Sequence, residues 1–351
     1  MKDKTISIKN YYWMLAYAFE YINEKDAAKV EAEEFENIYE LLSFILTLEL
    51  KKQIKRGLNK TYVPFEEETS NLKGKINVNE SINKLSFTNR KLVVSYDEYS
   101  IDSQLNRIVK TAGIFLLKSN KIKKTKHLNE LRKTLKYLDM VKEIKPSSIK
   151  WSSLRYDRNN SSYRMLISVS YFILKGLLST TEEGQYQFNN YIDDRKMHRL
   201  YEKFILGYYK YHYRGILKTS APAIDWITDN KKMLPNMFSD IVLFNKKNNK
   251  KLIIDAKYYS NAIQENEFYN RETFKSNNLY QIFTYVKNED KEKDGSVCGM
   301  LLYAKTDFND NIDEQYNMDG NIIRVSNLDL SVDFDTVKKR LNSYVEWFLS
   351  L

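Results

Sequence analysis

The sequence has very few of the residues that cross-link a chain or break its secondary structure. Its 351 residues include 10 glycines, 4 prolines and a single cysteine, Cys298. One cysteine cannot form an intrachain disulfide, and such scarcity is typical of proteins in a reducing cytosol. The low glycine and proline content excludes collagen-like and low-complexity classes. We therefore expect a cytoplasmic, globular protein.

Several sequence signatures are also missing. No run of 18 apolar residues occurs, so we expect neither a transmembrane helix nor a membrane partner. Neither a G-x-x-x-x-G-K-[ST] loop nor a G-x-G-x-x-G motif is present, so this chain alone is not expected to bind a nucleotide. The three histidines are scattered, and with one cysteine they cannot build a zinc site by themselves.

Charged and aromatic residues, by contrast, are abundant. The chain has 56 Lys and Arg against 46 Asp and Glu, a net charge of +10, and 14% of its residues are aromatic. The length predicts about two domains, and the positive charge indicates an anionic partner, nucleic acid first. Residues 118–145 contain ten Lys and Arg and three acids. This stretch is either a solvated helix face or a basic patch that contacts nucleic acid.

The pattern of apolar residues changes near Pro146. Before it, helical periodicity dominates, as in residues 34–56 and 105–118, with a few short strand-like runs. After it, strand-like apolar runs alternate with helical segments. We predict an α/β fold (α+β overall): a mixed helical and strand N-terminal domain at 1–146, and a C-terminal domain at 147–351 with a mixed sheet flanked by helices.

Two aspartates occupy strand-like runs that a short polar turn would pair. Asp240 lies within the first run, residues 237–244, and Asp255 lies near the end of the second, residues 251–257. Side chains alternate along a strand, so Asp255 and Lys257 point to the same face. A buried Asp is costly unless it is paired or bound to a metal. The pattern therefore predicts either a Mg²⁺ held by Asp240 and Asp255, with Lys257 orienting a water, or a structural Asp–Lys ion pair.

Two flanking helices supply further polar side chains. Glu202 lies on a predicted helix before the sheet and could add a third carboxylate to the metal. His198 lies one turn earlier on the same face, where a structural role is the simpler interpretation. Gln281 and Tyr285 share a face of a later helix and could hold a phosphate or a water. Ordinary solvated or amphipathic helices would explain the same residues.

This combination of residues resembles the PD-(D/E)xK nuclease superfamily, in the branch that carries a Q-x-x-x-Y motif. More narrowly, the chain is similar to the McrC family, the nuclease subunit of McrBC-type restriction systems. One departure is that Ser239, and not a proline, directly precedes Asp240. The similarity extends over nearly the whole chain, in residues 8–19, 72–76, 105–108, 234–241, 253–259 and 278–286.

The resemblance implies a restriction-endonuclease-like C-terminal domain that hydrolyses phosphodiester bonds of double-stranded DNA. Three carboxylates would bind Mg²⁺, namely Asp240, Asp255 and Glu202. Three further side chains would complete the catalytic set, namely Lys257, Gln281 and Tyr285. The N-terminal domain would dock onto a hexamer of McrB-like AAA+ GTPase subunits and stimulate nucleotide hydrolysis, as expected for a chain without its own phosphate-binding loop.

Two other functions are compatible with the sequence. One is a non-catalytic, DNA-binding adaptor that activates an AAA+ partner, although the intact set of Asp240, Asp255 and Lys257 argues against it. The other is a stand-alone DNA repair nuclease. Arg107 is a weak candidate for reaching into a partner's nucleotide site, and a structural role in its helix is the simpler interpretation.

Overall fold

The computed structural model describes residues 6–180, 186–188, 194–258, 263–266, 271–305 and 311–351. The α-helices of these residues are α1 (Ile8–Ala18), α2 (Glu24–Glu31), α3 (Ile38–Arg56), α4 (Val78–Asn83), α5 (Gln104–Lys118), α6 (Thr125–Leu135), α7 (Arg164–Tyr171), α8 (Asp194–His212), α9 (Ser276–Glu289) and α10 (Phe334–Ser350). Their strands are β1 (Thr61–Thr69), β2 (Lys75–Ile76), β3 (Leu92–Ser100), β4 (Leu178–Thr180), β5 (Tyr186–Phe188), β6 (Lys218–Ser220), β7 (Ala223–Ile224), β8 (Met237–Phe238), β9 (Ile241–Phe244), β10 (Lys251–Lys257), β11 (Ile263–Asn266), β12 (Arg271–Phe274), β13 (Val297–Ala304), β14 (Asp313–Met318) and β15 (Asn321–Leu328).

The chain forms two compact units, and the sequence of one is inserted into that of the other. Unit 1 comprises Met1–Leu41 and Ser179–Leu351, whereas unit 2 comprises Leu42–Leu178. This division differs from the predicted boundary at residue 146 in two ways. The first 41 residues belong with the C-terminal part of the chain, and residues 147–178 belong with the part before them.

Long-range contacts explain why the N-terminal segment belongs to unit 1. The backbone N–H of Ser7 donates to the carbonyl of Leu330 at 2.9 Å. The buried side chain of Asn10 donates to the carbonyls of Leu330 and Val332, at 2.7 and 2.8 Å. Partners more than 300 positions apart leave no local signal in composition or periodicity, so the sequence pattern could not reveal this arrangement.

Helix α1 packs directly against helix α8 within unit 1. A Cβ atom on Gly207 would lie 2.1 Å from the carbonyl oxygen of Tyr17, so only glycine allows the two backbones to come this close. The Tyr17 ring packs on Phe204 and Tyr208 of α8, and its hydroxyl lies 2.8 Å from Nε2 of His212. This contact fixes α8, the helix that carries Glu202.

Unit 1 is built on a six-stranded mixed sheet with strand order β14-β15-β13-β10-β9-β6. Strand β13 runs parallel to β10 and β15, and the other neighbours are antiparallel. Almost all of β10 and all of β13 are buried, as expected for apolar strands covered on both faces. Ile253 of β10 and Leu301 of β13 lie in one buried apolar cluster with Ile282 and Val286 of α9. The predicted α/β class and mixed sheet are confirmed.

Unit 2 contains a three-stranded antiparallel sheet, with order β1-β3-β2, and helices α5, α6 and α7. Its centre is the fully buried Asn106, whose amide donates to the carbonyls of Asn59 and Ile101, both at 2.8 Å. The hydroxyl of Tyr163 donates to Asn106 Oδ1 at 2.8 Å and accepts from the backbone N–H of Asn59. One side chain thus joins three separate segments of unit 2.

Arg107 has a structural role in this unit. Its guanidinium forms a bidentate pair with Asp102, with nitrogen–oxygen distances of 2.8 and 2.7 Å. Asp102 also accepts from the backbone N–H of Lys142 at 2.8 Å, and its pKa is lowered mainly by the bond from Arg107. The structure therefore supports a structural role for Arg107, which was the simpler of its two interpretations.

Within the described parts of the chain, no helix combines the length and the apolar character needed to cross a bilayer.

Candidate active site

Asp240 occupies the connection between β8 and β9, at one end of the central sheet. Ile241 pairs with Ile254, which places Asp240 beside the end of β10 that carries Asp255. Oδ2 of Asp240 accepts a hydrogen bond from the backbone N–H of Ala256 at 2.9 Å. The predicted hairpin therefore brings the two aspartates to one end of the sheet.

The preceding residue, Ser239, is the position at which the chain departs from the superfamily pattern. Its backbone N–H donates to the carbonyl of Pro222 at 3.2 Å, and its hydroxyl donates to the same oxygen at 2.8 Å. A proline could donate neither bond. Serine therefore anchors the segment before Asp240 by hydrogen bonds instead of by a fixed backbone angle.

Asp255 and Lys257 form a buried ion pair. The distance between Lys257 Nζ and Asp255 Oδ2 is 2.7 Å, and the side chains are 7% and 2% exposed, respectively. The expectation that these residues share one face of the strand is confirmed. The geometry also matches the structural Asp–Lys ion pair, the second interpretation that the sequence leaves open.

Helix α9 extends this pair into a chain of polar contacts. Lys257 Nζ donates to Gln281 Oε1 at 3.1 Å, and Gln281 Nε2 donates to the hydroxyl of Tyr285 at 2.8 Å. The one-turn spacing of Gln281 and Tyr285 permits this contact. Asp255, Lys257, Gln281 and Tyr285 are thus linked in one continuous series.

Glu202 faces the same region from helix α8, together with a histidine. Its Oε1 lies 2.6 Å from Nδ1 of His198, one turn earlier. Both residues lie close enough to Asp255 to affect its pKa, which Glu202 raises and a protonated His198 would lower. The sequence placed His198 on the correct face but favoured a structural role, because a single histidine on a helix carries little specific signal.

The carboxylates perturb one another's titration. Burial raises the pKa of Asp240 to about 7, with further contributions from the charges of Asp255 and Glu202. Burial also raises the pKa of Asp255, and the nearby Lys257 offsets only part of this effect. The pKa of Tyr285 is likewise raised, mainly by burial. The site therefore concentrates negative charge in a place where water solvates it poorly.

The carboxylates do not, however, form a closed metal-binding group. Among the described residues, no three His, Cys, Asp or Glu side chains lie together in a way that could hold a metal ion. Asp255 is engaged by Lys257, and Glu202 by His198. Carboxylate oxygens are nevertheless the ligands that Mg²⁺ prefers, and a divalent cation would offset the burial and, to a smaller extent, the repulsion that raise the pKa of Asp240. The residues fit Mg²⁺ in chemical type.

Comparisons with known proteins agree with the resemblance seen in the sequence. The family model described as "McrBC 5-methylcytosine restriction system component" matches residues 4–304. The type IV methyl-directed restriction enzyme EcoKMcrBC of Escherichia coli (strain K12) is 27% identical over 356 residues, which cover 99% of this chain and all of the relative.

A solved structure is also similar in fold. It is the refined half-complex of Thermococcus gammatolerans McrB AAA+ hexamers with bound McrC, which matches with a TM-score of 0.54 and 19% identity over 97% of this chain and 75% of that chain. At this identity the likeness concerns the fold alone. The match of the family model over most of the chain is what shows that this protein belongs to the McrBC 5-methylcytosine restriction system component family.

Proposed function

We propose that this chain is the Mg²⁺-dependent endonuclease subunit of a McrBC-type restriction system and hydrolyses phosphodiester bonds of double-stranded DNA. The observation that carries the proposal is the buried series from Asp255 through Lys257 and Gln281 to Tyr285, with Asp240 beside it, in a member of this family. An ordinary ion pair explains Asp255 and Lys257, but it does not explain two further carboxylates whose charges act on them.

Asp240, Asp255 and Glu202 would hold the Mg²⁺. When bound, the ion would polarise the scissile phosphate and lower the pKa of a water. The protein's own contribution is positional. Asp255 and Gln281 hold the Lys257 ammonium in place beside the carboxylates, where its positive charge would orient a water or stabilise charge on a phosphate oxygen.

Gln281 orients Lys257, and Tyr285 orients Gln281. Because the amide oxygen of Gln281 accepts from Lys257 while its nitrogen donates to Tyr285, the rotamer of the amide is defined at both ends. Asp240, whose pKa is raised to about 7, is partly protonated near neutral pH, and a bound cation would favour its ionised form. Binding of a cation and ionisation of Asp240 are therefore coupled.

The proposed partner is a hexamer of McrB-like AAA+ GTPase subunits, onto which the N-terminal part of the chain would dock. This assignment is supported by the likeness to an McrC bound to McrB AAA+ hexamers and by the absence of a phosphate-binding loop in this sequence. The partner would supply both the nucleotide hydrolysis and the recognition of modified DNA.

The test uses the isosteric variant Asp255→Asn in a reconstituted reaction with the partner, GTP, Mg²⁺ and methylated plasmid DNA. Cleavage should fall on the order of 1000-fold, since both a metal ligand and the counterion of Lys257 lose their charge. The matched control is Asp229→Asn, an exposed aspartate of the same unit, which should cleave like the wild type. Circular dichroism and partner binding verify that both variants are folded.

Each alternative has its own outcome in this experiment. Full cleavage by Asp255→Asn would refute the site. A wild-type chain that stimulates the partner's GTPase but never cuts would be an adaptor. A wild-type chain that cuts equally well without partner and nucleotide would be a stand-alone nuclease.

A further inference from the structure

The positive charge of the chain is very unevenly divided between the two units. Unit 2 contains 27 Lys and Arg against 12 Asp and Glu, a net charge of +15. Unit 1 contains 29 basic residues against 34 acidic ones, a net charge of −5. The whole excess of +10 therefore belongs to the unit that lacks the proposed catalytic residues.

Within unit 2 the charge is concentrated further. Its helical part, residues 104–178, has 17 Lys and Arg against 4 acids, whereas the segment of the three-stranded sheet, residues 61–100, has 5 against 6. The helical part thus carries a net charge of +13 in 75 residues. Such a density is typical of a surface that meets a polyanion.

Helix α6 places its charges on one side. Its apolar face is buried through Leu131 and Leu135, while Arg132, Lys133 and Lys136 (the residue after the helix) are exposed on the opposite side. Lys133 approaches Glu130 at 3.7 Å. Among the described residues, neither Arg132 nor Lys136 forms an ion pair. We call the three exposed cations the α6 basic face.

The chain that follows adds more exposed cations in short turns. Between residues 142 and 158 the exposed basic residues are Lys142, Lys145, Lys150, Arg155 and Arg158. Exposed serines alternate with them, namely Ser147, Ser148, Ser152 and Ser153. Flexible cations and hydroxyl groups are the side chains that contact phosphate oxygens in protein–DNA complexes.

We infer that the helical part of unit 2 binds the phosphate backbone of duplex DNA, separately from the cleavage centre of unit 1. The inference rests on the proposed function in one respect, that DNA is the substrate. Contacts of this kind hold DNA without reading its sequence. They would compensate for a cleavage unit whose own net charge repels a polyanion.

The experiment measures binding of a fluorescent 30-base-pair duplex by the full chain in EDTA, so that no cleavage is needed. The variant is R132Q/K133Q/K136Q, because glutamine keeps helix propensity and removes only charge. The matched control is K232Q/K246Q/K247Q, which removes three exposed charges from unit 1. Affinity is recorded from 50 to 200 mM salt, and thermal unfolding verifies that both variants fold.

The variant of the α6 basic face should bind DNA at least about tenfold more weakly at 100 mM salt. The slope of log K against log salt should also become less steep by up to about 2.7, because each of the three lost phosphate contacts contributes about 0.9. The control should bind like the wild type. Equal affinity and slope for variant and wild type would overturn the inference, as would a wild-type chain that does not bind DNA. Unchanged DNA binding combined with lost association with the AAA+ partner would also overturn it, and would identify the face as a protein-docking surface.

Failure of the inference and failure of the proposed function are distinguishable. If the wild type binds DNA through the α6 basic face but never cuts, only the nuclease proposal fails. If it cuts DNA while the variant still binds like the wild type, only the inference fails.

Discussion

Asp240 should make unit 1 less stable at alkaline pH, and removing its charge should restore that stability. The pKa of Asp240 is raised from 3.8 to about 7 in the folded protein, chiefly by burial. Because the folded pKa lies above the unfolded one, the contribution to stability is complete below about pH 4 and declines until the pH passes 7. At 1.36 kcal/mol per pKa unit, the loss amounts to about 4 kcal/mol at pH 8.

The perturbation is Asp240→Asn, which keeps an oxygen that can accept from the N–H of Ala256. Between pH 5 and 7 the free energy of unfolding of the wild type should fall, relative to that of the variant, by about 1.4 kcal/mol per pH unit. At pH 8 the variant should be the more stable protein, although it should no longer cleave DNA. A residue retained at such a cost to stability is characteristic of a functional site.

The assay is urea unfolding in EDTA at pH 5, 6, 7 and 8, followed by tryptophan fluorescence. Three of the four tryptophans belong to unit 1, and a Trp151→Phe background removes the one in unit 2. Asp229→Asn, at an exposed position, serves as control. Parallel pH profiles of Asp240→Asn and the wild type, or a less stable variant at pH 8, would refute the reasoning.

Two further predictions concern packing. Gly207→Ala would place a methyl group 2.1 Å from the carbonyl oxygen of Tyr17. It should therefore lower the free energy of unfolding of unit 1, measured in urea, by about 2 kcal/mol or more. Gly215→Ala, at a position with open space around it, should have little effect. Asn106→Ala would leave two carbonyls and the Tyr163 hydroxyl without their buried partner, so it should destabilise unit 2 by about 3 kcal/mol. Unfolding is followed by the fluorescence of Trp151, and Asn129→Ala, at an exposed position, should be nearly neutral. A small effect of Asn106→Ala would mean that water replaces the lost hydrogen bonds.

The elements around the site were predictable because their signals are local. The apolar runs at residues 251–257 and 297–304 predict two strands, and β10 and β13 have these same bounds. The shared faces of Asp255 with Lys257 and of Gln281 with Tyr285 follow from spacings of two and four residues. The metal-binding and catalytic roles of these residues remain predictions.

Other features depend on contacts that spacing does not encode. Strand β14 was not predicted, because it is a polar edge strand whose residues are mostly exposed. The apolar spacing of residues 127–142 predicts one continuous helix, but the α-helix ends at Leu135 and a 3₁₀ turn follows it. The division into units was missed for the same reason, since it depends on where α1 packs and not on its composition.

The insertion of unit 2 into unit 1 fixes the order in which the molecule can be completed during synthesis. Synthesis of unit 2 is complete once Leu178 has been added, whereas the hydrogen-bond partners of Asn10 are made only with Leu330 and Val332. At about 5–20 residues per second, that interval lasts roughly 10 to 30 s. The unit that we propose to hold DNA is therefore completely synthesised before the unit that carries the candidate active site. A chain interrupted between residues 178 and 330 would therefore contain all of unit 2 but lack the carbonyl partners of Asn10 in unit 1.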